Sequence, residues 1–162
     1  TGVAQHYRDA RIMPIYEGTT AIQSNDLVGR KVLRNGGATA EELFGLIEGT
    51  ISALRGSDHA VAARTADRLE RALASARRAT ASLVGFSSPR DAYAVSVPYL
   101  TLLGVLTGAW MHAFAVVAVL AHTEPAAEDA ARLTAADFYG AHHLPRVHAL
   151  AETVASGEVV AA

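Results

Sequence analysis

The sequence predicts an all-α fold, a helical bundle of about five helices behind an irregular N-terminal segment. Three observations carry that prediction. Hydrophobic residues make up 51% of the 162 residues and aromatic residues only 6%, with alanine abundant, a balance that favours closely packed helices over sheets. Apolar residues recur at spacings of three and four, and no stretch alternates with the period of two that a half-buried strand requires. Glycines, prolines and capping residues fall between the periodic segments, where helix ends belong. A chain of this length is long enough to bury a substantial core.

Taken in order, residues through Pro14 show no clean period and read as an irregular approach. Gly18 breaks the chain after Glu17. Thr20 and Gln23 then stand at capping-box spacing, and Ile22, Val28 and Val32 continue a helix to about Arg34, ended by Gly36 and Gly37. Thr39 and Glu42 form a second capping box; Leu43, Ile47, Ile51 and Leu54 follow at helical spacing, and Gly56 closes that helix. The third helix is the most clearly amphipathic. Ala62, Ala66, Leu69, Leu73, Ala76 and Leu83 form one stripe, with Arg64, Asp67, Arg68, Arg71 and Arg78 largely off it. Asp67 and Arg71 make an i,i+4 pair, and the mixture of acids with bases reads as a solvated face.

Ser88, Pro89 and Asp91 mark the next start: an N-cap, a proline in the first turn and an acid near the positive helix end. From Ala92 to Thr123 there is no Asp, Glu, Lys or Arg. That run is long enough to cross a bilayer, and Gly104 with Gly108 has the spacing of close-packing membrane helices. Pro98 interrupts it, however, and Ser96, Thr101, Thr107 and His112 are scattered through it, without anchoring flanks. The centre of a soluble bundle also requires a helix apolar on all sides, so no membrane span is expected. Pro125 opens the last helical stretch, with Leu133, Leu144, Val147, Ala151 and Val154 as core positions. Pro145 should kink or divide it, and Gly157 ends it.

Composition narrows function further. The formal charge of −2 comes from 14 basic and 16 acidic residues, which gives no reason to expect a nucleic-acid or anionic-membrane partner. Without cysteine there is no disulfide, thiolate nucleophile or Cys-based zinc site. That fits a reducing compartment, and the N-terminus lacks the pattern of a signal peptide, so a cytoplasmic location is expected.

One stretch has the makings of an active site: ARIMPIYEGTTAIQ, from Ala10 to Gln23. A carboxylate beside a glycine can come close to a ligand, because glycine permits backbone approaches that other residues forbid. Ile12, Met13, Pro14 and Ile15 could desolvate Glu17 and raise its pKa towards that of a general base. From spacing alone, a lone Glu before a Gly is far more often a turn residue.

The whole string YRDARIMPIYEGTTAIQ, followed by NDLVGRKVL, resembles the C-terminal part of acyl-CoA dehydrogenases. Arg8, Asp9, Arg11, Tyr16, Glu17, Gly18, Thr19, Ile22 and Gln23 all match in fixed order. The resemblance implies that Glu17 is the catalytic base removing an α-proton from an acyl-CoA thioester, while the β-hydrogen leaves as hydride to a flavin. It also implies that the backbone N–H of Glu17 helps hold the thioester carbonyl, and that Tyr16 and Gly18 border the substrate. Thr19 and Gln23 match positions that contact FAD. Flavin would supply the redox step and the protein the base and the orientation.

The shortest dehydrogenases of that family end soon after this helix, whereas this chain continues, in the manner of larger members of the 3-methylmercaptopropionyl-CoA dehydrogenase type. The late string ADFYGAHHLPRV is weakly similar to their extra domain. The resemblance therefore implies two parts: residues 1–37, the end of the dehydrogenase helical domain with its catalytic loop, and residues 38–162, an additional helical domain of structural role. It implies acyl-CoA as substrate, FAD as cofactor, an electron-transfer flavoprotein as acceptor, and a homo-oligomer. The N-terminal and central β-domains of a complete enzyme are not in this sequence, so little activity is expected of these residues alone. The alternative is a non-catalytic helical module for assembly that retains the motif by descent.

Elsewhere, His142, His143 and His148 lie close in sequence, but Asp137 and Glu152 complete no familiar ligand set, and no metal is expected. His112 reads as a hydrogen-bonded core residue, and Trp110, Met111 and Phe114 as packing. Ser87 and Ser88 read as a cap.

Overall fold

The computed structural model describes residues 2–16, 19–124 and 126–157, without the side chains of 13–16. Eight α-helices and no strand occur among them, so the all-α bundle is borne out. They are α1 (Val3–Tyr16), α2 (Thr20–Asp26), α3 (Ala38–Arg55), α4 (Ala60–Gly85), α5 (Pro89–Ala94), α6 (Ser96–Leu120), α7 (Asp129–His142) and α8 (Arg146–Ala155). A π-helical turn, Leu27–Val32, and a short 3-10 turn, Leu33–Asn35, extend α2.

The expected irregular N-terminus is corrected: residues 3–16 are helical. The sequence hid this because α1 buries none of its described side chains, which leaves no period; every residue from 2 to 12 is exposed. Good helix formers and two i,i+4 side-chain hydrogen bonds support it locally, Gln5 to Asp9 at 2.8 Å and Arg11 to Tyr7 at 3.1 Å.

Both expected capping boxes are also absent. Helix α2 begins at Thr20, which places its N-cap on Thr19, and the Thr19 side chain makes no capping bond. Helix α3 begins at Ala38, one residue before Thr39. Gly36 and Gly37 both hold positive φ, 63° and 89°, a conformation that only glycine adopts without strain. Their amides close the preceding turn, Gly37 onto the Val32 carbonyl at 2.8 Å and Gly36 onto Leu33 at 3.2 Å. The Thr39 hydroxyl instead accepts from Asn35 at 2.6 Å.

Helices α4 and α6 form the centre. Helix α4 packs against α3, α6, α7 and α8, and α6 packs against α2, α3, α4, α7 and α8. The predicted α4 stripe is buried in full, joined by Ala72 and Ala79, so its neighbours meet a face built largely of alanine. The off-stripe charges tie α4 to its neighbours. Asp67 pairs with Arg55 of α3 at 2.6 Å, not with Arg71 as its spacing suggested. Arg77 reaches Glu41 and Glu48 of α3, while Arg64 and Arg68 both reach Asp137 of α7.

Ser88 caps α5 by accepting from the Arg90 amide at 3.2 Å, with Pro89 in the first turn, as expected. Pro98 does not interrupt α6. It occupies the first turn, where a missing N–H is tolerated, and the break falls at Val95. Helix α6 is central, yet one side of it stays open: Val97, Gly104, Met111, Phe114 and Ala118 are exposed. Pro145 divides α7 from α8, with Leu144 buried beside it. Pro125 lies outside the described residues, and α7 begins only at Asp129.

Candidate functional site

The motif sits where α1 gives way to α2. Tyr16 is the last residue of α1, and its side chain is not among those described; Glu17 and Gly18 lie outside the described residues. The structure places the other two candidates together. Thr19 is extended, with φ −76° and ψ 157°, and exposed; its carbonyl accepts from the Gln23 amide at 3.1 Å. Gln23 is half-buried one turn along. The Thr19 hydroxyl is not consumed in capping, and Thr19 stands exposed at the first turn. Thr19 and Gln23 thus lie one turn apart at this helix start. No charged residue lies between Thr19 and Asn25, and Asp26 is paired with Arg30 at 2.9 Å.

Behind this turn lies a buried hydroxyl pair that sequence reasoning missed. Ser24 Oγ is 3.0 Å from Ser96 Oγ at the start of α6, and Ser96 in turn donates to Asn25 Oδ1 at 2.8 Å. Ser24 also lies 3.0 Å from the Ala21 carbonyl. Ser24 and Ser96 are both buried. No local signal joins residues so far apart in the chain; Ser96 reads only as a polar interruption of an apolar run. Further along, the Tyr93 ring approaches Gly29 in the π-helical turn so closely that a Cβ there would come within 2.6 Å of its hydroxyl.

Titratable groups elsewhere are engaged structurally. The hydrogen bond from Arg64, then that from Arg68, holds Asp137 below the usual carboxylate range. His122 does the same for buried Asp129, whose Oδ2 also accepts from the Ala126 amide at 2.8 Å. Burial pushes the Tyr99 hydroxyl up and the His112 imidazole down. His112 is half-buried and stacks on Tyr139 at 4.8 Å, so its partner is a ring where a hydrogen bond was expected. His142 and His143 lie against Phe138 and Tyr139, and His148 meets Ser75 at 2.9 Å. Trp110 packs on Phe114 and donates to Thr50 at 2.8 Å, whereas Met111 and Phe114 are about half exposed.

A family model described as "Acetyl-CoA dehydrogenase C-terminal like" matches residues 43–162. The chain belongs to that family. Two curated relatives extend the likeness of this dehydrogenase-type domain towards the N-terminus. A 3-methylmercaptopropionyl-CoA dehydrogenase of Ruegeria pomeroyi is 46% identical over 144 residues, covering 86% of this chain and 24% of that protein. The broad-specificity linear acyl-CoA dehydrogenase FadE5 of Mycobacterium tuberculosis is 28% identical over 166 residues, covering 94% of this chain and 27% of that protein. The chain therefore spans about a quarter of the length of these relatives. The family match runs from α3 through α8, and the motif of residues 16–23 precedes it.

Proposed function

We propose that the chain is the C-terminal part of an FAD-dependent acyl-CoA dehydrogenase, with Glu17 as the base that removes the α-proton of an acyl-CoA thioester. The observation that carries this reading is the Tyr16-Glu17-Gly18-Thr19 string with Ile22 and Gln23 in order, followed directly by a domain of the dehydrogenase C-terminal family. Tyr16 and Gly18 border the thioester, and the backbone N–H of Glu17 helps polarise its carbonyl, which the weak acidity of the α-proton requires. Thr19 and Gln23 hold the flavin, consistent with an exposed Thr19 hydroxyl that does not cap its own helix. Bound FAD supplies the two-electron acceptor.

On this reading residues 1–37 end the catalytic helical domain and residues 38–162 form an additional domain of structural role. The start of the family match at residue 43 supports that division. The partners are acyl-CoA, the remaining domains of a longer polypeptide, an electron-transfer flavoprotein and further copies of the enzyme. The location is cytoplasmic, with no membrane span and no nucleic-acid partner.

The test is Glu17→Gln in the complete dehydrogenase. The amide keeps the shape of the side chain and cannot take a proton, so FAD should remain bound while acyl-CoA-dependent flavin bleaching falls by at least a hundredfold. Turnover at the parental rate overturns the assignment of the base.

A further inference from the structure

We propose that the corner between α5 and α6 positions the flavin-facing turn, with Ser96 as the positioning residue that fixes α2 in place through Ser24 and Asn25. This role rests on the function proposed above.

The contacts are direct. Ser24 follows Gln23 in the chain, so whatever fixes Ser24 also fixes the turn bearing Thr19 and Gln23. Ser24 is fully buried and Ser96 is 3% exposed, with their hydroxyls 3.0 Å apart. The two hydroxyls bring one proton each to three short contacts. Ser24 donates to the Ala21 carbonyl within α2 and Ser96 donates to Asn25 Oδ1, so the Ser96 proton is the one that crosses from α6 to α2, with the Ser24 hydroxyl 3.0 Å from it. The pair is not there for apolar filling, since replacing both partners of a buried neutral hydrogen bond by apolar groups is close to neutral for stability. A hydrogen bond adds direction, which an alanine contact lacks.

A second hold lies further along the same helix. The Tyr93 ring of α5 rests against the backbone at Gly29, where no side chain other than hydrogen fits without displacing the tyrosine. A helix held at one point can pivot, whereas two holds fix rotation and slide together. The change from α- to π-helical winding at Leu27 falls between them. Turns of that kind shift helix register and recur at functional sites. Through this corner the domain of residues 38–162 acts on the site without touching a ligand.

The experiment compares Ser96→Ala, Ser24→Ala and the double variant in the complete dehydrogenase. Ser52→Ala serves as control, because its exposed hydroxyl bonds only the Glu48 carbonyl of its own helix. FAD affinity, the melting temperature of the apoprotein and amide exchange over residues 20–28 are measured. Ser96→Ala should weaken FAD binding roughly three- to tenfold and speed exchange across α2, the scale of one lost hydrogen bond. When either serine is lost the other keeps a partner, Ser24 the Ala21 carbonyl or Ser96 the Asn25 Oδ1, so the melting temperature should stay near the parental value in all three variants while FAD affinity is low. FAD affinity that falls only in step with a falling melting temperature overturns the positioning role, as does a Ser96→Ala protein with parental affinity and exchange. A parent that binds no FAD overturns the proposed function itself, and this role with it.

Discussion

At the level of single residues, the buried polar side chains show why a slightly apolar chain, of mean hydropathy +0.19, still specifies one arrangement. Tyr99 is the largest of them and fully buried, with its hydroxyl 2.9 Å from Thr80 Oγ1. Thr80 donates to the Ala76 carbonyl within α4, so Tyr99 must be the donor of the pair. Tyr99→Phe keeps the ring and removes only that donor. It is expected to lower stability by about 1 kcal/mol in chemical denaturation, with an unchanged denaturant slope. The close approaches of Tyr93 to Gly29 and of Tyr139 to Gly108 share a logic: the phenol lies where any side chain larger than hydrogen would stand.

Among elements, α4 shows how small side chains serve packing. Ala62, Ala66, Ala72, Ala76 and Ala79 are buried, and four helices crowd around them. Alanine favours the helix intrinsically and leaves its neighbours close to the backbone. A larger residue there has no room to occupy. Ala76→Leu is expected to destabilise the bundle by about 1–3 kcal/mol, read from the midpoint of urea unfolding. Leu54 of α3 fails in the opposite sense, because truncation there opens a cavity in the core.

For the whole molecule, pH dependence runs through the connection between α6 and α7. Asp129 is held below its ordinary value of 3.8, first by the hydrogen bond from His122 and then by that from the Ala126 amide. Folding thus favours the ionised carboxylate. Its contribution is complete above pH 3.8 and is lost as pH falls below that value. Asp129→Asn removes it, so the gap in melting temperature between parent and variant should be open at pH 6 and close towards pH 3. Much of the fold was legible in the sequence: the α4 stripe, the Ser88 cap, the Gly36–Gly37 stop and the division at Pro145 all follow from local chemistry. Helix α1 was not legible, because its described residues, exposed from 2 to 12, leave no period. The partners of Asp67 and Ser96 were not legible either, since pairing across helices is settled by tertiary packing. At the candidate site, the motif was recognisable as a string, while the hydroxyl pair behind it joins positions that share no local pattern.

The uncharged run from Ala92 to Thr123 has a consequence for the denatured chain. Folded, its core-facing side is covered by five other helices. Unfolded, it exposes segments such as Val116 to Leu120, valine-rich, apolar and free of charge, with no gatekeeper before Glu124. Such segments, once exposed, are prone to pair with one another as strands. The residues that build the centre of the bundle are therefore expected to make its heat denaturation an aggregating, one-way process, read as an apparent melting temperature that rises with scan rate.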